Sequence, residues 1–187
     1  MPALELLNRQ PTLGGETLLL RPLHEDDWDA LYAVASDALI WAVHPGHDRW
    51  QETVFREFFA HAMDHRGALV VIDKASGAII GSSRYQGLDA ADDGSVEIGW
   101  TFVARAYWGG ATNRELKRLM LAHALASVAR VDFRVGEANV RSRGAMVKIG
   151  GRLSDRTEIT EMAGKPVRHV IYQIDRAGFA SGPLMAR

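Results

Sequence analysis

The sequence predicts a mixed α/β (α+β) domain in which an antiparallel front half leads into a parallel β-α-β crossover. Apolar residues switch from a helical period to a period of two after residue 67. The strand over residues 95–103 alternates, with Val96, Ile98, Trp100 and Phe102 on one set of positions. A loop of small residues at 108–113 then runs straight from that strand into a long helix.

Residues 17–21 read as a short strand, and the polar stretch after them starts a helix near Asp26. Trp28, Leu31, Tyr32, Val34 and Ala35 give that helix an apolar face, ending near Ser36. Asp48 is a good N-cap for a second helix, with Val54, Phe55, Phe58, Phe59 and Ala62 as its buried stripe. Residues 68–72 and 78–85 form a hairpin about a turn at 73–77, and 89–94 is a polar loop before the strand at 95–103. A long helix over 113–129 carries Leu116, Leu119, Met120 and Ala124 on one face. A strand at 131–138, a short helix at 140–149 and a closing hairpin of 152–160 with 167–174 complete the order. That order, β-α-α-β-β-β-α-β-α-β-β, places the chain among mixed sheets with a central parallel crossover. No repeat or Pro/Gly/Ser linker divides it, so residues 1–187 read as one domain, with a core over 16–175 and loose ends at 1–12 and 176–187.

Composition narrows the function classes. Apolar residues make up 47% and charged residues 24%, the balance of a soluble globular protein. No apolar run approaches the roughly 18 residues of a membrane span, and the first residues lack the basic start and apolar stretch of a secretory signal. The chain has no cysteine, which excludes disulfides, thiolate metal sites and a cysteine nucleophile, and fits a cytoplasmic protein. The net charge of −1 hides a division, −9 over residues 1–97 and +8 over 98–187. An anionic ligand in one half and a cationic one in the other would produce it, and so would chance clustering of solvated charges.

The chemistry concentrates in residues 100–117. Trp108-Gly109-Gly110-Ala111-Thr112-Asn113 lets a backbone approach a ligand closely, and the helix start beyond it offers unpaired N–H groups and a partial positive charge. Arg105, Arg114, Lys117 and Arg118 outweigh the single acid Glu115. The loop lacks Gly-Lys-Ser/Thr, so it has no phosphate-binding lysine or magnesium hydroxyl. It also lacks G-x-G-x-x-G with an acid some twenty residues on. An anionic cofactor held by backbone amides without metal remains, and coenzyme A leads the candidates. A tight strand-to-helix turn without a ligand is the structural alternative.

This segment resembles motif A of the GNAT superfamily of acetyltransferases. Glu97-Ile98-Gly99-Trp100 followed by Tyr107-Trp108-Gly109 resembles the RimJ/RimL-like branch, whose members often read E-I-G-Y and then Y-W-G-x-G-x-A-T-E-A. Leu20-Arg21-Pro22-Leu23 with Asp26-Asp27 resembles the start of that branch, and Asn139-Val140-Arg141-Ser142 with Lys148-Ile149-Gly150-Gly151 resembles its N-x-x-S…L-G-F element. The likeness covers about residues 16–175. It departs at Ala111, where glycine is usual, at Asn113, where glycine or alanine is usual, and at Trp108, where glutamine or arginine stands in the wider superfamily. Alanine fits if its φ is negative, and Asn113 fits as the N-cap of the helix.

The resemblance implies a GNAT-like sheet of about seven mostly antiparallel strands, splayed at a parallel pair and flanked by about four helices. It implies acetyl-CoA as the acyl donor, bound without metal, and transfer of its acetyl group to a primary amine of a small molecule or protein N-terminus by direct attack. Cofactor contacts carry over to Thr101, Phe102, Val103, Trp108, Gly109, Gly110, Ala111, Thr112, Asn113, Arg114, Asn139 and Ser142.

At pH 7 only about one lysine-type amine in a few thousand is neutral, so a base must assist. Glu97 is the candidate base, with a salt-bridged strand carboxylate as the structural alternative. Alternation sets it on the face of Gly99 and Thr101, opposite Val96, Ile98 and Trp100. The tyrosine that many relatives offer the departing thiolate is missing between Tyr107 and Tyr172, which leaves Ser142 as the available hydroxyl, unless it serves only the first turn of its helix. Asn139 is a pantetheine partner, a helix N-cap, or both.

His61 and His65, four apart, form a pair without the third ligand a metal needs. The segment His44-Pro45-Gly46-His47-Asp48, with Trp41 and Trp50, falls where relatives bind acceptor, or else packs on the core. The acidic first half suits a cationic acceptor. The main alternative function is a catalytically weak acyl-CoA-binding sensor, recommended by Ala111, Asn113 and the missing tyrosine. A nucleic-acid module is disfavoured because the basic residues are dispersed. The expected partners are acetyl-CoA and an amine, with no nucleic acid and no membrane, in a monomer or homodimer.

Overall fold

The computed structural model describes residues 7–91 and 93–186. Among them eight strands form one sheet in the order β1-β2-β3-β4-β5-β6-β8-β7. The strands are β1 (Leu13–Gly14), β2 (Leu18–Pro22), β3 (Ala68–Asp73), β4 (Ile79–Asp89), β5 (Ser95–Val103), β6 (Arg130–Gly136), β7 (Arg152–Met162) and β8 (Lys165–Asp175). Six α-helices flank it: α1 (Trp28–Ala35), α2 (Ala38–Trp41), α3 (Glu52–His65), α4 (Thr112–Ser127), α5 (Val140–Lys148) and α6 (Arg176–Ala180). Every strand pair is antiparallel except β5 with β6, joined by the crossover helix α4.

The extra elements are short pieces whose signals are local hydrogen bonds. Helix α2 exists because the Asp37 side chain accepts the Leu39 N–H at 3.0 Å. Helix α6 forms because the Asp175 carboxylate accepts the Gly178 N–H at 2.7 Å. Beyond it Leu184 enters the core at 4% exposure, so the segment after residue 175 is docked where the sequence suggested a loose end. At the other end Leu7 is also buried, and the expectation for residues 1–6 lies outside the described residues. The second long helix starts at Glu52 and not at Asp48, because the Asp48 carbonyl accepts the Gln51 N–H and closes a turn first.

Two apolar clusters cover the two faces of the sheet. On one face α4 buries Leu116, Met120, Leu121 and Ala124 against Val96, Ile98, Phe133 and Val135. On the other, Phe55 and Phe59 of α3 with Leu31 and Trp41 pack on Val70 and Phe102. Strand β5 contributes to both because its alternation breaks in mid-strand. Ser82 pairs with Phe102 but Arg84 with Gly99, so one residue of β4 faces two of β5. The extra residue is accommodated by Trp100 at φ 51°, a sparsely populated conformation for a bulky side chain. Val96 and Ile98 thus face α4 before the bulge, and Thr101 and Val103 do so after it. The clean alternation expected from the sequence, with Thr101 on the Glu97 face and Trp100 opposite, is corrected by this one-residue slip.

Candidate active site

The bulge coincides with the point where the sheet opens. Strands β5 and β6 pair only from Ser95 with Arg130 to Glu97 with Asp132. Beyond Glu97 they separate, and the edge of β5 that faces β6 has no ladder partner among the described residues. The gap is the floor of a cleft of about 980 Å³. Every sequence-predicted site residue lines this cleft except Phe102, Ala111 and Thr112. Phe102 turns its ring to the opposite face, 5.1 Å from the Trp41 ring, so only its backbone faces the open edge.

One end of the cleft is the start of α4. Its N-cap residue, Ala111, gives no side-chain cap, which leaves first-turn N–H groups without a side-chain acceptor. Ala111 sits at φ −76°, so alanine is unstrained there. The positive φ falls on Gly109, at 73°, with open space around it. Asn113 is therefore not the cap: it lies in the first turn and faces the cleft. The Trp108 indole N–H donates to the Val103 carbonyl at 2.9 Å, fixing the loop to the end of β5, and the Arg141 guanidinium lies 4.2 Å over that ring. Arg114 reaches back to the carbonyls of Pro183 and Ala186, the latter at 2.9 Å, so its charge is shared with the docked C-terminal segment. Across the gap Asn139, 3% exposed, caps α5 by accepting the Ser142 N–H at 3.1 Å. Neither its amide N–H groups nor the Ser142 hydroxyl makes a hydrogen bond among the described residues.

The floor on the α4 side holds a group that the sequence marked only as general positive charge. Lys117 is 2% exposed. Its ammonium donates to Thr101 Oγ1 at 2.7 Å, lies 5.7 Å from the Phe133 ring centroid and has no carboxylate partner among the described residues. Burial pushes its pKa down to about 7. A signal was available: Lys117 stands beside Leu116 and three residues before Met120, inside the apolar stripe of α4.

The opposite wall carries Glu97. Its carboxylate lies 3.3 Å from Arg134 Nε, and Arg134 also binds Glu158 at 3.1 Å. Burial raises the Glu97 pKa, Glu158 and Asp132 add to the rise, and Arg134 opposes it. The carboxylate is thus half-buried, paired and still shifted towards a usable base. Trp100 joins this wall, with the Arg134 guanidinium 5.4 Å and the Arg84 guanidinium 5.0 Å from its ring. The segment around His44 roofs the wall, because Pro45 packs on Gly136, where a Cβ would stand 2.6 Å from Pro45 Cγ. His44 accepts the Gly46 N–H on Nδ1 at 2.9 Å, and burial together with Arg49 and Arg141 pushes its pKa down to about 3. Asp29, Glu52 and Glu57 of the acidic first half are exposed on helices α1 and α3 and do not face the cleft, whereas Glu97 lines it.

The paired histidines take a structural part. His61 Nδ1 accepts from Arg84 at 2.6 Å and its ring stacks on His65 at 3.9 Å. No group of three or more potential metal ligands occurs among the described residues. No helix of the described residues is long and apolar enough to cross a membrane.

The family model of the acetyltransferase (GNAT) domain matches residues 17–152. No curated protein matches the chain. Among solved structures, a GCN5-related N-acetyltransferase from Brucella melitensis superposes with a TM-score of 0.79 at 19% identity, over 92% of this chain and 81% of that one. RimJ of Mycobacterium smegmatis, in complex with CoA-disulfide, gives 0.71 at 17% identity over 94% and 92%. Spermidine N-acetyltransferase from Vibrio cholerae, in complex with CoA and spermine, gives 0.68 at 15% identity over 89% and 100%. The splayed parallel pair, the uncapped helix start and the matched domain agree: this chain belongs to the GNAT family of acetyltransferases.

Proposed function

We propose that the protein is an acetyl-CoA-dependent N-acetyltransferase that moves the acetyl group to a primary amine by direct attack within one ternary complex. The observation that carries this is the gap between β5 and β6, which leaves a strand edge unpaired in a cleft whose one end is an uncapped helix start. That edge suits an amide-bearing pantetheine arm, and the N–H groups of the first turn of α4 suit a pyrophosphate. Gly109, Gly110, Asn113 and Arg114 would border the pyrophosphate, Thr101 to Val103 and Asn139 the arm. RimJ and the spermidine enzyme, whose solved complexes contain CoA-disulfide and CoA, share this fold, which supports the assignment.

Acetyl-CoA brings a thioester that an amine can attack. Glu97 takes the proton that the amine must lose, and its raised pKa favours that transfer near neutrality. On the other side of the gap Lys117 donates a hydrogen bond or proton to the departing thiolate, the role the sequence suggested for Ser142. Ser142 remains the second donor, since it lines the same cleft. Alanine in the loop, which recommended a catalytically weak sensor, loses its weight because Ala111 has negative φ.

Thiol release from acetyl-CoA, measured over a panel of amines, tests the reading with Glu97→Gln beside the wild type. Turnover on one amine class, lost or moved to higher pH in the variant, is expected. Tight CoA binding without turnover on any amine would favour the sensor, and no CoA binding would overturn both.

A further inference from the structure

The acceptor wall carries more positive charge than its carboxylates can balance. Glu97 and Glu158 are both committed to Arg134. Arg49 and Arg84 lie against the same aromatic group, their guanidinium carbons 4.9 and 5.2 Å from the Phe58 ring centroid. Neither has a carboxylate within ion-pair distance among the described residues. Arg84 is 1% exposed and is held only by neutral acceptors, His61 Nδ1 at 2.6 Å and the Phe58 carbonyl at 3.5 Å, while its Nε has no partner. Arg49 lines the cleft, its side chain makes no hydrogen bond among the described residues, and its guanidinium lies 5.7 Å from the centroid of the core Trp41 ring.

Two guanidiniums of like charge in an aromatic setting are costly unless an anion joins them. Burial lowers both pKa values to about 10, and for Arg84 the charge of Arg49 adds to the effect, yet both stay protonated at neutral pH. His44 supplies no negative charge either, and Arg49 is the member of the pair that faces the cleft.

We infer that the acceptor is an amino-carboxylate, such as an α-amino acid or a peptide fragment ending in one, whose carboxylate is bound by Arg49 while its amine faces Glu97. This rests on the acyltransfer reading for the position of the amine, but the carboxylate site itself is a property of Arg49, Arg84 and the aromatic rings beside them. Of the acids of the first half only Glu97 lines the cleft among the described residues, so the general acidity of that half does not argue for a cationic acceptor. A planar guanidinium held beside aromatic rings can offer two parallel N–H groups, the geometry that a carboxylate accepts.

The experiment compares glycine, phenylalanine and glutamate with their own carboxamides, which keep the amine and remove the charge of the α-carboxylate, and with spermidine. Wild-type protein is expected to show a KM for the acids at least about tenfold below that of the amides, the usual effect of a hydrogen-bonded charge. Arg49→Met should erase that preference, leave the KM for acetyl-CoA unchanged and leave the melting temperature of the ligand-free protein equal or higher, because one of two like charges is gone, and Arg49→Lys should restore part of the preference. Thermal shifts by the same acids, with and without CoA, read the site even if no amine turns over. Stabilisation by acids and not by amides, lost in Arg49→Met, supports the inference. Equal or better use of spermidine or the amides, or an acid preference that survives Arg49→Met, overturns it. An Arg49-dependent preference for succinyl-CoA over acetyl-CoA with uncharged amines would also overturn it, by placing the carboxylate on the donor.

Discussion

Lys117→Met is expected to make the ligand-free protein more stable at pH 7 while impairing its activity. The lysine is almost fully buried, its pKa is pushed from an ordinary 10.5 to about 7, and its only polar contact among the described residues is Thr101 Oγ1. A depressed lysine pKa means that the unfolded chain holds a proton which the folded one tends to lose. Folding is therefore penalised below pH 10.5, most heavily at and below pH 7. Moving a pKa by one pH unit costs about 1.36 kcal/mol, which makes the penalty at pH 7 about 4 kcal/mol. It falls as pH rises between 7 and 10.5, so wild-type stability should grow by about 2 kcal/mol from pH 7 to pH 9 through this residue.

Methionine of similar length removes the penalty but also the bond to Thr101, so a net gain of about 2 kcal/mol at pH 7 is the expectation. For a chain of this size that raises Tm by roughly 4–8 °C. Urea unfolding of both proteins at pH 7, 8 and 9, without CoA, gives the answer. The two stability curves should converge with rising pH. Parallel curves, or a variant less stable than wild type at pH 7, would refute the account of Lys117 as an uncompensated buried ammonium.

Other outcomes follow from the same geometry. If Lys117 serves the departing thiolate as its protonated form, wild-type kcat declines as pH rises through about 7 and beyond, and Lys117→Met lowers kcat and abolishes that declining limb in a pH–rate profile. Because the Glu97 pKa is raised, the rising limb of kcat/KM should lie above the ordinary carboxylate range, and Glu97→Gln should remove it. Gly109→Ala, at φ 73°, should cost about 1 kcal/mol in unfolding free energy and weaken CoA binding measured by calorimetry. Asn139→Ala deletes the α5 cap and should cost about 1 kcal/mol of stability together with a rise in the KM for acetyl-CoA.

Much of the fold was legible because it depends on local periodicity. The strand at 95–103 and the apolar stripes of α1 and α3 were placed from alternation and helical spacing, and the cofactor loop from small residues ahead of a helix. Short elements fixed by one side chain were not legible, as with Asp37 at α2 and Asp175 at α6, since their sequences carry too few residues for a period.

Contiguous residues encode the order of elements, the family and the position of the loop before α4, so all three could be read along the chain. Which groups share a wall of the cleft depends on the folded chain. The bulge at Trp100 moves Thr101 to the side of Lys117 and Trp100 to the side of Glu97, a parity change that no alternation pattern reveals. Folding also sets the charge of this cleft wall. Of the acids of the first half only Glu97 lines the cleft among the described residues, while Arg49, Arg84 and Arg134 come from a loop and two strands far apart in the chain and meet around Phe58 and Trp100. Electrostatics at short range depends on distance in space and on burial, and neither is a function of separation along the chain.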